Sequence, residues 1–264
     1  MRGYFDVVKR EYHQWWSPRL NRNMELLIFG HAGARTLVFP TRGGRFFEYE
    51  NMGMVGRVRE EIEAGQLQLY CVDGIDTESL YCEWAHPHDR IRRHLQYESY
   101  ILDEVIPLMD LINPGALTVS HGCSLGAFHA ANIAFRHPHR FDQLIAFSGR
   151  YDLTARLENF RDLFDGYYNE EIYYNTPAHY LPGLSCPSQL SSLRRMRISL
   201  VVGEEDPFRE SNQRLSHILW EKGVWHDLRY WPGRAHRAHC WREMAPHYVT
   251  IRGSQATSVA SGSL

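Results

Sequence analysis

"SHGCSLGAF", residues 120–128, places Ser124 midway between Gly122 and Gly126. Ahead of it runs the apolar, β-branched stretch "GALTVSHG" (115–122), and behind it "LGAFHAANIAFRHP" has helical composition as far as His137 and Pro138. A buried parallel strand that turns at once into a helix brings two backbones together, so the positions flanking the turn have to be small. Glycines at 122 and 126 meet that demand. The serine between them is then held in a strained conformation, its hydroxyl above the carboxyl end of the strand and the N–H of Leu125 facing the same space. The spacing alone arises often by chance. The strand before it and the helix after it make Ser124 an expected nucleophile rather than a serine capping an ordinary turn.

A serine hydroxyl is a weak nucleophile unless a histidine takes its proton, and the histidine needs an acid to fix its tautomer. Where a nucleophile sits on such a turn, the partners follow in the order Ser, Asp or Glu, His, each after a later strand. "RISLVVGEEDPF" supplies the acid, because Glu204, Glu205 and Asp206 stand where its apolar run ends. Asp206 is favoured, since Pro207 can occupy the first turn of the next helix and leave a short carboxylate at the turn; Glu205 is the alternative. "YWPGRAHRAHCWREM" offers His236, in a loop soon after Gly233, and His239, beside the start of the final helix. Acyl transfer also needs N–H donors where the oxyanion forms. One is expected from Leu125. The other is expected from the loop "FPTRGGRFFEYENMG" (39–53), whose glycines allow close backbone approach: Arg42 first, then Thr41. The H-x-x-H-C run at 236–240 and His86-Pro87-His88 lack a second ligand pair at a zinc spacing, so no metal site is expected.

The rest of the chain frames these motifs. Its 264 residues suffice for one large α/β domain, expected over 1–252, with a small, polar, unpatterned tail at 253–264. Acidic and basic residues nearly balance at 31 against 29, and Lys9 and Lys222 are the only lysines. With no concentrated charge, neither nucleic acid nor a membrane surface is an expected partner. The charged, aromatic start "MRGYFDVVKREYHQWW" is unlike a secretory signal, and five cysteines without paired spacing suit reduced thiols, so a cytoplasmic location is expected. Strand patterns at 12–16, 24–30, 35–40, 66–74, 115–122, 141–149, 197–203 and 226–231 alternate with helical stretches from the fourth onward. That alternation predicts a mostly parallel sheet of about eight strands with helices on both faces. The first three runs are close enough in sequence for an antiparallel start. A helix over 89–112 is predicted to bend near Pro107. Residues 151–195, dense in tyrosine, read as short helices and loops inserted after the sixth strand over one edge of the sheet.

The glycine-bearing loop, the "HGCSLGAFHA" turn, "FSGRYDL", "YNTPAHYLPGL", "VVGEEDPF" and "HRAHCW" together resemble the esterase family of the α/β-hydrolase fold, the group that includes S-formylglutathione hydrolases, feruloyl esterases and mycolyltransferases, from about residue 35 to 249. The resemblance implies an α/β-hydrolase fold and hydrolysis of a small-molecule carboxylic ester through an acyl-enzyme on Ser124. It implies His236 as base, Asp206 as its acid and no cofactor. It selects His236 because the family motif ends in a tryptophan, here Trp241, although Ala235 stands where the family usually has glycine. Tyr81, Trp84, Tyr173 and Trp241 are candidate pocket residues, with a preference for short acyl chains. The same triad would serve acyl transfer to another acceptor or thioester cleavage. A non-catalytic binding protein using the tyrosine-rich surface is the reading outside enzymes, and a homo-oligomer is compatible with the sequence.

Overall fold

A computed structural model describes residues 8–157 and 159–250, so the expected tail at 253–264 lies outside the described residues. The strands are β1 (Arg10–Ser17), β2 (Arg22–Phe29), β3 (Ala34–Phe39), β4 (Leu67–Val72), β5 (Thr118–Cys123), β6 (Gln143–Phe147), β7 (Arg197–Gly203) and β8 (Asp227–Trp231). All belong to one sheet of order β1-β2-β4-β3-β5-β6-β7-β8. The pairs β1–β2 and β2–β4 are antiparallel and every other pair is parallel.

The antiparallel start is therefore not the expected run of three. β4 enters between β2 and β3, pairing Leu26 with Val72, while β3 lies parallel between β4 and β5. The link from β2 to β3 steps over the beginning of β4 so closely that a Cβ on Gly33 would lie 2.1 Å from the Gln66 backbone. Gly33 at φ 92° can make that step because it has no side chain.

Helices cover both faces: α1 (Glu48–Asn51), α2 (Met54–Arg57), α3 (Arg59–Glu63), α4 (Pro87–Tyr100), α5 (Ile106–Ile112), α6 (Leu125–Arg136), α7 (Glu170–Tyr173), α8 (Pro177–Gly183), α9 (Pro187–Arg195), α10 (Arg209–Glu221) and α11 (Ala238–Tyr248). Side chains alternate across a strand, and the central strands are apolar in both directions because both faces are covered. Thus Leu26, Leu37, Tyr70, Leu144 and Ala146 pack with α4, α5 and α6. Their neighbours Leu27, Val38, Leu69, Ile145 and Phe147 pack instead with α1–α3 and α11.

The helix predicted over 89–112 is displaced and interrupted. α4 begins at Pro87, and one π turn at Ile101–Val105 separates it from α5. Pro107 has no N–H to donate to Asp103 and its ring crowds that carbonyl. The wider turn, in which Ile106 N–H donates to Ile101 O, accommodates it.

The segment between β6 and β7 carries α7–α9. Leu153, Leu163, Phe164 and Ile172 share a buried cluster with Ile91 of α4 and with Leu125 and Phe128 of α6, the helix over the central strands. Ala178, Tyr180, Leu181 and Leu193 of the same segment join the main core cluster, with α8 against α6 and α10. Among the described residues no helix is long and apolar enough to cross a membrane.

Candidate active site

The chain passes from β5 through Ser124 directly into α6, with Ser124 at φ 55° and ψ −119°. A Cβ on Gly122 would lie 2.3 Å from the Gly126 backbone, and one on Gly126 would lie 2.4 Å from Phe39 O. Both glycines are thus required by backbone contact. The second contact also brings the end of β3, and with it the loop at 40–44, against the turn that carries Ser124. Ser124 N–H donates to Phe147 O at 2.8 Å, which ties the turn to β6.

Two further loops meet Ser124. The ladder between β7 and β8 continues past both strands, with Glu204 N–H donating to Trp231 O and Glu205 N–H to Gly233 O. A Cβ on Gly203 would lie 2.3 Å from Arg234 O, so the loops touch backbone to backbone. This contact sets Asp206 and His236 side by side. His236 Nδ1 lies 3.2 and 3.1 Å from the two Asp206 carboxylate oxygens, and its Nε2 lies 3.0 Å from Ser124 Oγ. Nδ1–H donating to the carboxylate leaves Nε2 as the acceptor for the serine hydroxyl. The Asp206 side chain is fully buried and that of His236 is 15% exposed, so the carboxylate is withdrawn from water while the imidazole keeps some access to it.

Asp206 does two jobs, since its Oδ1 also accepts from Phe208 N–H at 2.9 Å. Pro207 lies in that turn, ahead of α10, rather than in the first turn of the helix as expected. Ala235 has φ 50°. Glycine adopts that conformation freely and alanine does so under strain, which accounts for the family's usual glycine before the histidine. His239 is exposed in the first turn of α11 with Cys240 Sγ 3.3 Å from its Nε2, so the structure brings His236 and not His239 to Ser124. Glu205 is exposed and also stands outside the contact.

Three aromatic rings enclose the imidazole: Trp241 and Phe208, each with its centroid at 5.3 Å, and Phe160 at 6.3 Å. Trp241, expected in the substrate pocket, is 6% exposed and stands edge-on to the imidazole, its indole N–H donating to Ser148 Oγ at 3.2 Å. It supports the histidine from within the core. Tyr81 is placed at the loop that follows β3, where the Arg42 guanidinium covers its ring at 4.2 Å.

The other two pocket candidates lie elsewhere. Trp84 is 89% exposed and lines a cleft with Glu78, Asp89, Arg92 and Arg93, apart from the Ser124 turn. Tyr173 lines a cleft of about 420 Å³ with Phe135, Arg136 and His137, at the end of α6 opposite Ser124. Tyrosine content marked the segment, but its side chains dock wherever apolar surface is open. Cys123 is buried, and burial pushes its thiol well above the ordinary range, so it is held as an inert thiol.

Leu125 N–H opens α6 and has no intrahelical acceptor. In the facing loop, Thr41 N–H donates to Glu48 Oε2 at 2.7 Å, Gly43 N–H to Asp76 Oδ2 at 3.4 Å and Gly44 N–H to Thr41 O at 2.9 Å. Arg42 is left as the loop residue of the four whose N–H has no protein acceptor among the described residues. Thr41, the second choice in the sequence, has its N–H occupied. Neither Glu48, Asp76 nor Phe160 carries a sequence signal, since each meets the site through tertiary contact.

Comparison with known proteins agrees with this architecture. The model of the family described as "Putative esterase" matches residues 44–240. No curated protein sequence matches significantly. Among solved structures, a ferulic acid esterase superposes with a TM-score of 0.71 at 15% identity, covering 91% of this chain and 96% of its own. FphF of Staphylococcus aureus, a fluorophosphonate-binding serine hydrolase, gives 0.70 at 14% identity over 91% and 96% of the two chains. The S-formylglutathione hydrolase of Agrobacterium tumefaciens gives 0.69 at 15% identity over 90% and 92%. Likeness at such identities establishes the shared fold. The family match spans most of the chain and takes in β4–β8, the strand-to-helix turn and the two loops that meet there, and on that ground the chain belongs to the esterase family of α/β-hydrolases.

Proposed function

We propose that the protein hydrolyses carboxylic esters of small molecules through an acyl-enzyme on Ser124. The observation that carries this reading is the unbroken line from Asp206 through His236 to Ser124 Oγ, with contacts of 3.1 and 3.0 Å. Ser124 Oγ attacks the ester carbonyl while His236 Nε2 takes the hydroxyl proton, and Asp206 stabilises the imidazolium. The tetrahedral intermediate places its oxyanion between Leu125 N–H and Arg42 N–H. Its collapse expels the alcohol, which leaves with the proton held on His236. Water then repeats the sequence on the acyl-enzyme and releases the acid.

We take small-molecule esters with short acyl groups as the substrates, in keeping with the buried apolar cluster of Leu125, Phe128, Leu153, Leu163 and Phe164 that begins at the turn. The test is a fluorophosphonate probe together with a series of p-nitrophenyl and hydroxycinnamoyl esters. Wild type is expected to label at Ser124 and to favour short chains. Ser124→Ala and His236→Ala should each lose roughly 10⁴-fold or more in kcat, while His239→Ala stays within about threefold. Absence of labelling together with absence of turnover would leave a binding protein as the better account.

A further inference from the structure

The oxyanion donor from the loop after β3 is set by side chains that never meet the substrate, and this inference rests on the proposed acyl-transfer reading. Four hydrogen bonds, three from backbone N–H groups and one from the Thr41 hydroxyl, specify the loop at 41–44. Glu48 accepts from Thr41 at both of its oxygens, from N–H at 2.7 Å and from Oγ1–H at 2.6 Å. Thr41 O accepts from Gly44 N–H at 2.9 Å, closing a turn. Asp76, 3% exposed, accepts from Gly43 N–H at 3.4 Å and lies 2.9 Å from His129 Nε2 on α6.

The peptide between Thr41 and Arg42 is planar and trans, so its C=O and N–H point in opposite directions. With the carbonyl held toward Gly44, the Arg42 N–H has to point away from the turn, and the carboxylates on either side keep the neighbouring peptides from rotating. Each occupied amide also removes an alternative donor. Gly44 completes the arrangement: a Cβ there would lie 2.5–2.7 Å from the Glu48 carboxylate atoms, so the carboxylate folds into space that only glycine leaves.

We propose that Glu48, together with Asp76, which His129 holds from α6, is a positioning residue that presets Arg42 N–H for the oxyanion. A donor aimed in advance stabilises the transition state without reorganisation, so its loss shows in kcat rather than in KM. Glu48→Ala is expected to lower kcat about 10- to 100-fold with KM within about twofold, less than the roughly 10²- to 10³-fold of deleting a donor outright. Glu48→Gln, whose amide oxygen still accepts from Thr41 N–H, should recover part of the loss. Gly44→Ala displaces the same carboxylate without deleting it and should reproduce the loss, with little further effect when combined with Glu48→Ala. Asp76→Asn should cost less, in keeping with its longer bond.

Two readouts accompany the kinetics. Affinity for a trifluoromethyl ketone, whose serine adduct carries the oxyanion, should fall in proportion to kcat. Amide hydrogen exchange should show Thr41 protected in wild type and released in Glu48→Ala and Gly44→Ala. Folded Glu48→Ala and Gly44→Ala with kcat and ketone affinity within about twofold of wild type would overturn the proposal. A wild type that neither turns over esters nor labels would instead overturn the acyl-transfer reading, and the exchange of Thr41 would still decide whether Glu48 holds the loop. Should Glu48→Ala fail to fold, Glu48→Gln and Gly44→Ala carry the same comparison.

Discussion

Ser124 shows the cost of placing a hydroxyl above the sheet. At φ 55° and ψ −119° a residue with a Cβ is strained by roughly 1–3 kcal/mol, and the strain persists because β5, β6 and α6 hold the backbone on both sides. Ser124→Gly and Ser124→Ala both delete the hydroxyl and its contact with His236, so they differ chiefly in strain. Ser124→Gly is expected to be the more stable by about 1 kcal/mol even after glycine's larger unfolded-state entropy is subtracted. Urea unfolding of the two variants measures the difference, and Ser124→Ala emerging as the more stable would contradict it. At this scale much of the site is legible. The small–Ser–small spacing, an acid after an apolar run and a histidine after a later one are local consequences of backbone sterics. Tyr173 was not legible, because composition marks a tyrosine as half-buried without saying which surface buries it. Trp241 was half legible: its spacing from His236 pointed to the right neighbour, but only packing shows that it stands behind the imidazole.

Between elements, the decisive contact is that of the end of β7 with the loop after β8. Gly203 lets Arg234 O approach, and the backbone bonds of Glu204 and Glu205 across this junction align Asp206 with His236. Gly203→Ala forces the two loops apart, because the atom that a Cβ would strike belongs to backbone and cannot swing aside. A displacement near 1 Å at a reacting group can cost about 10²-fold in rate. Gly203→Ala is accordingly expected to lose about 10- to 100-fold in kcat/KM with an unchanged far-ultraviolet circular dichroism spectrum. Full activity in that variant would show that the loops tolerate separation. The strand positions were readable because the β6 and β7 runs are largely apolar on both faces, and β5, although it carries Ser120 and His121, is buried throughout. Their partners were less so. β4 enters between β2 and β3 through the bulk of α1–α3 and a close step at Gly33, and no periodicity encodes such an insertion.

Across the whole molecule, buried histidines contribute to how stability responds to acid. Burial, with the neighbouring His129 adding to it, pushes His94 down to about 3, and burial pushes His121 down to about 4. His121 is held neutral between Ile145 O at Nδ1, 2.9 Å away, and the Tyr49 hydroxyl at Nε2, 3.0 Å away. Above the ordinary histidine value of about 6.5, neither the folded nor the unfolded chain carries these protons, and the contribution to stability is complete. As the pH falls below that value, the unfolded chain takes up protons that the folded chain refuses. Stability is then lost at up to about 1.4 kcal/mol per pH unit for each histidine until the folded values are approached. Denaturant unfolding followed from pH 7 to 4 should show this fall, and His94→Leu should flatten it by about one proton. An identical slope in wild type and variant would exclude His94 as a contributor.

The chain by itself determined whatever depends on residues within a few positions of one another: a strand turning into a helix at Ser124, alternating apolar faces, and the order in which Ser124, Asp206 and His236 follow their strands. Those features follow from steric exclusion and side-chain periodicity, which act over short separations. The folded molecule alone decided the neighbours. It placed β4 between β2 and β3, brought His236 and not His239 to Ser124, sent Tyr173 to the far end of α6, and occupied the amides beside Arg42 while leaving its N–H without an acceptor among the described residues. These outcomes depend on backbone and side-chain groups brought together from distant segments, where hydrogen-bond partners and packing volume are allotted only once the whole chain has closed.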